Sequence, residues 1–109
     1  MFTYITIGIN DLPRAVRFYD PVLATLGFER RQMDDQEARY AAAGDSRCRF
    51  WITHPFDGKP ATIGNGSMPA FEAPSRRAVD AFHAAALQHG GTDEGAPGER
   101  FKGFYAGYF

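Results

Sequence analysis

The chain has 109 residues, which is enough for one domain and too few for two. Its formal net charge is −1, so the composition predicts neither nucleic acid nor a membrane surface as a partner. No stretch approaches the roughly 20 apolar residues of a membrane span, and the lone Cys48 excludes an internal disulfide and fits the reducing cytoplasm.

Residues 2–9 are predicted to form the first strand, because apolar and mixed side chains alternate along them. The apolar face of this strand carries Ile5, Ile7 and Ile9. The mixed face includes Tyr4 and Thr6. We expect the apolar face to pack beneath a helix, which leaves Tyr4 and Thr6 facing a cavity.

A helix is predicted after this strand. Asp11 offers a carboxylate for the N-cap, and Gly27 supplies the left-handed stop. The apolar stripe of the helix consists of Val16, Tyr19, Leu23 and Leu26. Pro21 removes one backbone hydrogen bond and predicts a kink or a break, after which Asp20 could cap a second short helix.

Three strands are predicted next, within the sequences FERRQMDD, EARYAAAG and SRCRFWITHP. In the third, Phe50 and Ile52 share one face of the strand, and Arg49 and Trp51 share the other. Residues 55–66 are dense in Gly, Pro, Asn and Asp, which is typical of a loop.

The same order of elements recurs after this loop. SMPAFEA predicts a strand, and Ser75 caps a helix that ends at Gly90. TDEGAPGERF contains a short strand, and GFYAGYF begins another. Residues 15–27 and 78–90 align without gaps, which indicates a duplicated module of one strand, one helix and further strands.

These patterns predict an α+β fold of two paired βαβββ modules in a single domain. Module one spans about 1–54, residues 55–66 form the joint, and module two spans about 67–109. Pairing the modules produces a cupped, barrel-like sheet with the helices outside and a cavity inside. Module two shows one strand fewer than module one, so a last strand is expected to be missing after Phe109.

Two stretches carry a resemblance to a known family. TIGINDLPRAVRFYDPVLATLGF resembles the opening of the glyoxalase/bleomycin resistance protein/extradiol dioxygenase group, also called the vicinal oxygen chelate superfamily. GNGSMPAFEAPSRRAVDAFHAAALQHGGTDEGAPGER is similar to the second module of that family. FYAGYF resembles the strand that leads into the Asp-Pro-Asp-Gly-Asn turn of the family.

The resemblance implies a divalent metal ion held by His or Glu from the first strand of each module and by a Glu on the last strand. Here the first two positions hold Tyr4 and Met68, a protonated phenol and a soft thioether, and the third would lie beyond Phe109. We therefore expect no metal ligands and no cofactor, with a divalent metal as the alternative.

Other reactive side chains have ordinary interpretations. We expect His54, His83 and His89 to be solvated or locally bonded, and Cys48 to be a small buried hydrophobe rather than a nucleophile. Glu72 shares the face of Met68 and is a weak candidate for a catalytic base, although a rim residue paired with an arginine is the preferred interpretation.

Three functions follow from this reading. The first is metal-free binding of a small molecule in an aromatic cavity. The residues expected to line that cavity are Tyr4, Thr6, Trp51, Met68 and Tyr105, with Tyr108 as an alternative to Tyr105. The second is a metal-dependent lyase, isomerase or dioxygenase, and the third is an interaction subunit without a ligand. In each case a homodimer is expected, because exposed sheet edges need cover.

Overall fold

In a computed structural model, which describes all residues from 1 to 109, the chain forms two helices and six strands. The elements are β1 (Ile5–Gly8), α1 (Leu12–Ala24), β2 (Phe28–Met33), β3 (Glu37–Ala42), β4 (Phe50–Thr53), α2 (Arg76–Gln88), β5 (Gly95–Phe101) and β6 (Phe104–Tyr108). The predicted α+β class is confirmed, and one predicted strand, over residues 67–73, is not formed.

The first four strands form one mixed sheet in the order β1-β4-β3-β2. The pairs β2–β3 and β3–β4 are antiparallel, whereas β1 lies parallel to β4 and needs the long crossover through α1, β2 and β3. In this register Thr6 lies opposite Trp51, and Trp51 lies opposite Arg39.

Helix α1 covers one face of this sheet. Ile5, Ile7 and Ile9 pack against the buried cluster between sheet and helix, as their alternation predicts. The cluster consists of Leu12, Leu23, Ala38, Tyr40, Phe50 and Ile52. Burial of these apolar side chains is the main favourable contribution to folding of module one.

Helix α1 runs without a break through Pro21, so the predicted break is wrong. The proline removes only one N–H from the helix, and packing of the apolar stripe against the sheet keeps the remaining turns in place. The N-cap is Asp11, as predicted, and its carboxylate accepts from the backbone N–H of Arg14 at 3.0 Å.

Asp20 joins α1 to the sheet instead of capping a second helix. Its carboxylate accepts a hydrogen bond of 2.8 Å from the buried Tyr40 hydroxyl and a hydrogen bond of 3.1 Å from Arg30 Nε. Burial and this bond to Asp20 raise the pKa of Tyr40 above its usual value, so the phenol stays protonated and donates.

Four phenylalanines link the two halves of the chain, and we call this cluster the aromatic bridge: Phe28, Phe50, Phe71 and Phe82. The Phe71 ring lies 5.8 Å from Phe28, 5.2 Å from Phe50 and 5.6 Å from Phe82, measured between centroids. These tilted contacts are favourable for aromatic rings and join the module-one core to α2.

The segment 67–73 that carries Phe71 pairs with no strand, so the predicted strand is wrong. In module one, β1 is held by its parallel partner β4. Module two contributes only β5 and β6, which pair with each other, and Pro69 further removes one N–H donor from the segment. The side chain of Phe71, rather than backbone pairing, therefore anchors this part of the chain.

Module two consists of α2 packed on the β5–β6 hairpin. Ser75 caps α2 by accepting from the Ala78 N–H, and the helix stops before Gly90, as predicted. His83 is 6% exposed, and its Nε2 lies 3.1 Å from the Asp93 carboxylate, which ties α2 to the start of the hairpin. The ladder shifts register around Pro97, which cannot donate a backbone hydrogen bond.

The cup is open within this chain. The two modules meet through α1 and α2, and the four-stranded and two-stranded sheets form no closed barrel. The structure therefore supports the predicted glyoxalase-type cupped architecture. The face of the large sheet opposite α1 carries exposed residues such as Tyr4 and Thr6.

We expect Tyr40→Phe to lower the free energy of unfolding by about 1–2 kcal/mol, because the variant loses a hydrogen bond to a carboxylate without opening a cavity. Urea denaturation measures this loss. Tyr4→Phe is the matched control, since the Tyr4 hydroxyl makes no hydrogen bond within the chain, and it should leave the midpoint in place. An unchanged midpoint for Tyr40→Phe would contradict the role given to the Asp20 bond.

Candidate ligand-binding face

The sheet face opposite α1 carries three stacked planar groups, from Tyr4, Trp51 and Arg39, and Thr6 lies opposite Trp51 on the neighbouring strand. We call these four residues the aromatic face. The Tyr4 and Trp51 rings are stacked with centroids 4.0 Å apart and planes 5° from parallel. The Arg39 guanidinium carbon lies 3.8 Å from the centroid of the Trp51 ring.

Strand register produces this row. Thr6 lies in β1 and Tyr4 directly before it, Trp51 lies in β4, and Arg39 lies in β3. These three strands are neighbours in the sheet, with β4 in the middle. Side chains that alternate away from the core on neighbouring strands stand next to each other on the opposite face. Because Arg39 and Tyr4 approach Trp51 from the strands on either side, the indole presents its edge to solvent.

Hydrogen bonds fix two members of the row. The Trp51 Nε1–H donates to the carbonyl of Cys48 at 2.9 Å, which sets the orientation of the indole. Arg39 forms an ion pair with Glu37, so its charge is balanced locally. The Tyr4 side chain is 46% exposed, and its hydroxyl has no partner within the chain. A ligand can therefore reach this hydroxyl without breaking a protein hydrogen bond.

The structure brings together three of the residues predicted to line the cavity, namely Tyr4, Thr6 and Trp51. Met68 is 68% exposed on the segment before α2, and Glu72, four residues later, is also exposed. No hydrogen bond joins Met68 or Glu72 to the aromatic face, and Glu72 has no arginine partner.

Tyr105 lies on the face of the β5–β6 hairpin that packs against α2. Its hydroxyl donates to the Asp80 carboxylate at 2.6 Å, and the Arg76 guanidinium carbon lies 5.0 Å from its ring. The bond to Asp80 raises the pKa of Tyr105. Tyr108, the alternative, faces away from α2 and lies under Arg100, at 5.2 Å. Tyr105 is thus apart from the aromatic face.

Sequence reasoning missed Arg39. Its position was readable in principle, because Arg39 alternates with the apolar residues Ala38 and Tyr40 and must then share the face of Trp51. No local pattern predicts the register between β3 and β4. That register places Arg39 directly opposite Trp51 rather than two residues away from it.

A polar surface groove of about 530 Å³ shares Glu37 and Arg39 with the aromatic face. The groove is lined by Arg31, Gln32, Met33, Asp34, Glu37 and Arg39. Two arginines and two carboxylates line it, so it offers hydrogen-bond donors and acceptors beside the aromatic row.

The donor set does not suit a divalent metal ion. No three His, Cys, Asp or Glu side chains are grouped so that they could hold one. At the two positions implied by the family resemblance, Tyr4 offers a phenol stacked on Trp51 and Met68 offers an exposed thioether. Hard divalent ions prefer carboxylate ligands and borderline ones also take imidazole, so neither a phenol nor a thioether suits them and we derive no step through a metal.

Comparison with known proteins identifies the family. The model for "Glyoxalase/Bleomycin resistance protein/Dioxygenase superfamily" matches residues 2–109. The chain belongs to this superfamily. Within the glyoxalase superfamily, a crystal structure of a glyoxalase/bleomycin resistance protein from Albidiferax ferrireducens T118 is 42% identical, with a TM-score of 0.83, and the match covers 92% of this chain and 81% of that one.

A second solved structure shares the fold at lower similarity. A glyoxalase-type protein from Bacillus halodurans is 19% identical with a TM-score of 0.53, and the match covers 86% of this chain and 72% of that one. No curated protein matches the chain significantly. Neither α1 nor α2 has the length and apolar character needed to span a membrane.

We expect Arg39→Ala to uncover one face of Trp51, the only tryptophan, and to increase quenching of its fluorescence by acrylamide. Loss of the cation–π contact should also lower the free energy of unfolding by about 0.5–1 kcal/mol. Arg31→Ala is the control, because Arg31 pairs with Glu29 and does not stack on the indole. Equal quenching in wild type and Arg39→Ala would contradict the stacked geometry.

Proposed function

We propose that this member of the glyoxalase superfamily binds a small planar molecule on its aromatic face without a metal ion. The observation that carries the proposal is the rigid Tyr4–Trp51–Arg39 row with an unpartnered phenol at its exposed end. A row that is already ordered loses little conformational entropy when a ligand binds.

The geometry of the row favours one kind of ligand. Both faces of the Trp51 ring are occupied, so a ligand meets the ring edge, which carries partial positive charge. An aromatic ring in edge-to-face contact, or an oxygen atom of the ligand, matches that edge. The Tyr4 hydroxyl can then donate to a carbonyl or hydroxyl oxygen of the ligand.

The chemistry of the side chains supports binding rather than metal catalysis. The positions that the family resemblance implies for metal ligands hold a phenol and a thioether, which are poor ligands for divalent ions. Glu72, the candidate base, is exposed and is joined to the aromatic face by no hydrogen bond. The proposal therefore assigns no catalytic residue.

We further propose that a second copy of this chain packs over the large sheet, so that a bound ligand lies between the aromatic face and the hairpin of the partner copy. The hairpin carries a stacked pair, Phe101 and Phe104, with centroids 4.8 Å apart and exposures of 66% and 44%. One copy thus offers an exposed pair of phenylalanine rings on the hairpin and an uncovered sheet face. A two-fold axis lets each copy place its hairpin on the sheet of the other, and both surfaces lose water at once.

A thermal-shift screen with planar phenols, aromatic acids and drug-like heterocycles tests binding. A ligand present at about one hundred times its dissociation constant adds about 2.7 kcal/mol to stability. For the best compound, Tyr4→Phe should weaken binding by about 0.5–1.5 kcal/mol, the contribution of one neutral hydrogen bond. Calorimetric titration measures the difference.

Tyr105→Phe is the control for this titration, since Tyr105 lies against α2, and it should bind the compound as wild type does. The binding proposal fails if no compound in a broad screen stabilises the protein, or if Tyr4→Phe binds as tightly as wild type. Elemental analysis after exposure to nickel, zinc, manganese and iron should show no stoichiometric metal, and tight stoichiometric metal would overturn the metal-free mode.

Light scattering coupled to gel filtration tests the dimer. At micromolar concentration we expect twice the chain mass of 12.1 kDa, and a monomer mass for the double variant Phe101→Ser, Phe104→Ser. Ile63→Ser, a change at a loop residue that is 95% exposed, should leave the dimer intact. A monomeric wild type would refute the dimer while leaving the binding proposal to its own test.

A further inference from the structure

The loop before module two contains an asparagine followed by a glycine, Asn65–Gly66, and both residues are exposed. In such a pair the backbone nitrogen of the glycine can attack the side-chain carbonyl carbon of the asparagine, because a glycine has no Cβ to obstruct the approach. Whether this reaction occurs in a folded protein depends on whether the attacking nitrogen and the amide are free.

Here the Gly66 nitrogen and the Asn65 side-chain amide are both free of hydrogen bonds, whereas the backbone on either side of them is hydrogen-bonded. The N–H of Asn65 donates to the carbonyl of Ile63 at 3.1 Å, and the N–H of Ser67 donates to the carbonyl of Gly64 at 2.8 Å. The N–H of Gly66 donates to no group of the chain, and the Asn65 side chain makes no hydrogen bond. Gly66 has a φ of +93°, a conformation that favours glycine.

The other sites of the same chemistry are protected in this fold. Asn10 is the other asparagine of the chain, and both atoms of its side-chain amide are hydrogen-bonded to the backbone of Ala61. Its Nδ2 donates to the Ala61 carbonyl at 3.1 Å, and its Oδ1 accepts from the Ala61 N–H at 2.7 Å. At the Asp57–Gly58 pair, the Gly58 N–H is occupied by the carbonyl of Pro55 at 3.0 Å. Asn65 is therefore distinguished by its surroundings as well as by its sequence.

We propose that Asn65 is a spontaneous modification site that converts to a cyclic imide and then to an acid. The nitrogen of Gly66 forms a bond to Cγ of Asn65, the Cγ–Nδ2 bond breaks, and the Gly66 proton leaves with the amide as ammonia. Water then opens the imide at either carbonyl and gives aspartate or isoaspartate. Overall one water is consumed and one ammonia is released, with no other reactant.

The consequence is a change of charge and of chain length at the joint between the modules. Each conversion takes the formal charge from −1 to −2 by adding one carboxylate. The isoaspartate form also routes the backbone through one extra carbon, a few residues before Phe71 enters the aromatic bridge. The modification thus marks aged molecules with a more acidic, altered loop.

Incubation of the folded full-length protein at mildly alkaline pH, followed by peptide mapping and anion-exchange chromatography, tests the proposal. We expect a growing acidic species whose change maps to position 65, with isoaspartate and aspartate both present, and no change at Asn10. Asn65→Gln should abolish this species, and Gly66→Ala should slow its formation on the order of tenfold through the added Cβ.

A parallel incubation in urea gives the reference for an unprotected chain. The proposal predicts that Asn65 converts in the folded protein within a few-fold of its rate in urea. Asn10 should convert only in urea, because unfolding releases its amide from Ala61. Protection of Asn65 in the folded protein, at a time when the unfolded chain has converted, would overturn the proposal.

Discussion

The fold depends on one inserted side chain, Phe71. Its ring is the point at which module-one residues Phe28 and Phe50 meet Phe82 of α2. The segment around Phe71 makes no strand pairing, so apolar contact replaces backbone hydrogen bonds as the link between the modules. The contact between α1 and α2, and the packing of Phe109 against Phe18 and Phe82, add to this link.

The aromatic bridge also determines which surfaces remain available. Because the modules meet through their helices and the bridge, the sheet face with Tyr4 and Trp51 stays uncovered. The family to which the chain belongs is defined by a fold, and a fold hosts many functions. In this chain the stacked rings and Arg39 determine the chemical character of that face.

Local signals in the sequence were sufficient for most of the fold. Strand alternation predicted which residues of β1 and β4 enter the core, and the N-caps Asp11 and Ser75 marked both helix starts.

The predictions that failed depend on contacts between elements that are distant in the sequence. The strand predicted at 67–73 is absent, because propensity does not reveal whether a partner strand is present. Pro21 predicted a kink or a break, and no break occurs because packing outweighs one lost hydrogen bond. Of the candidate site, the placement of Tyr4 and Trp51 on one face followed from parity, whereas their stacking did not. Placing Tyr105 required knowledge of which side of the hairpin meets α2.

Native-state hydrogen exchange measures most directly whether the aromatic bridge makes the two modules one cooperative unit. The amides of Ile52 in β4 and Ala86 in α2 report on the two modules, and both residues are fully buried. The account predicts that both amides exchange through one global opening, with the same free energy and the same dependence on denaturant. Exchange of the Ala86 amide at a markedly lower free energy than that of Ile52 would show that module two opens alone and would contradict the account.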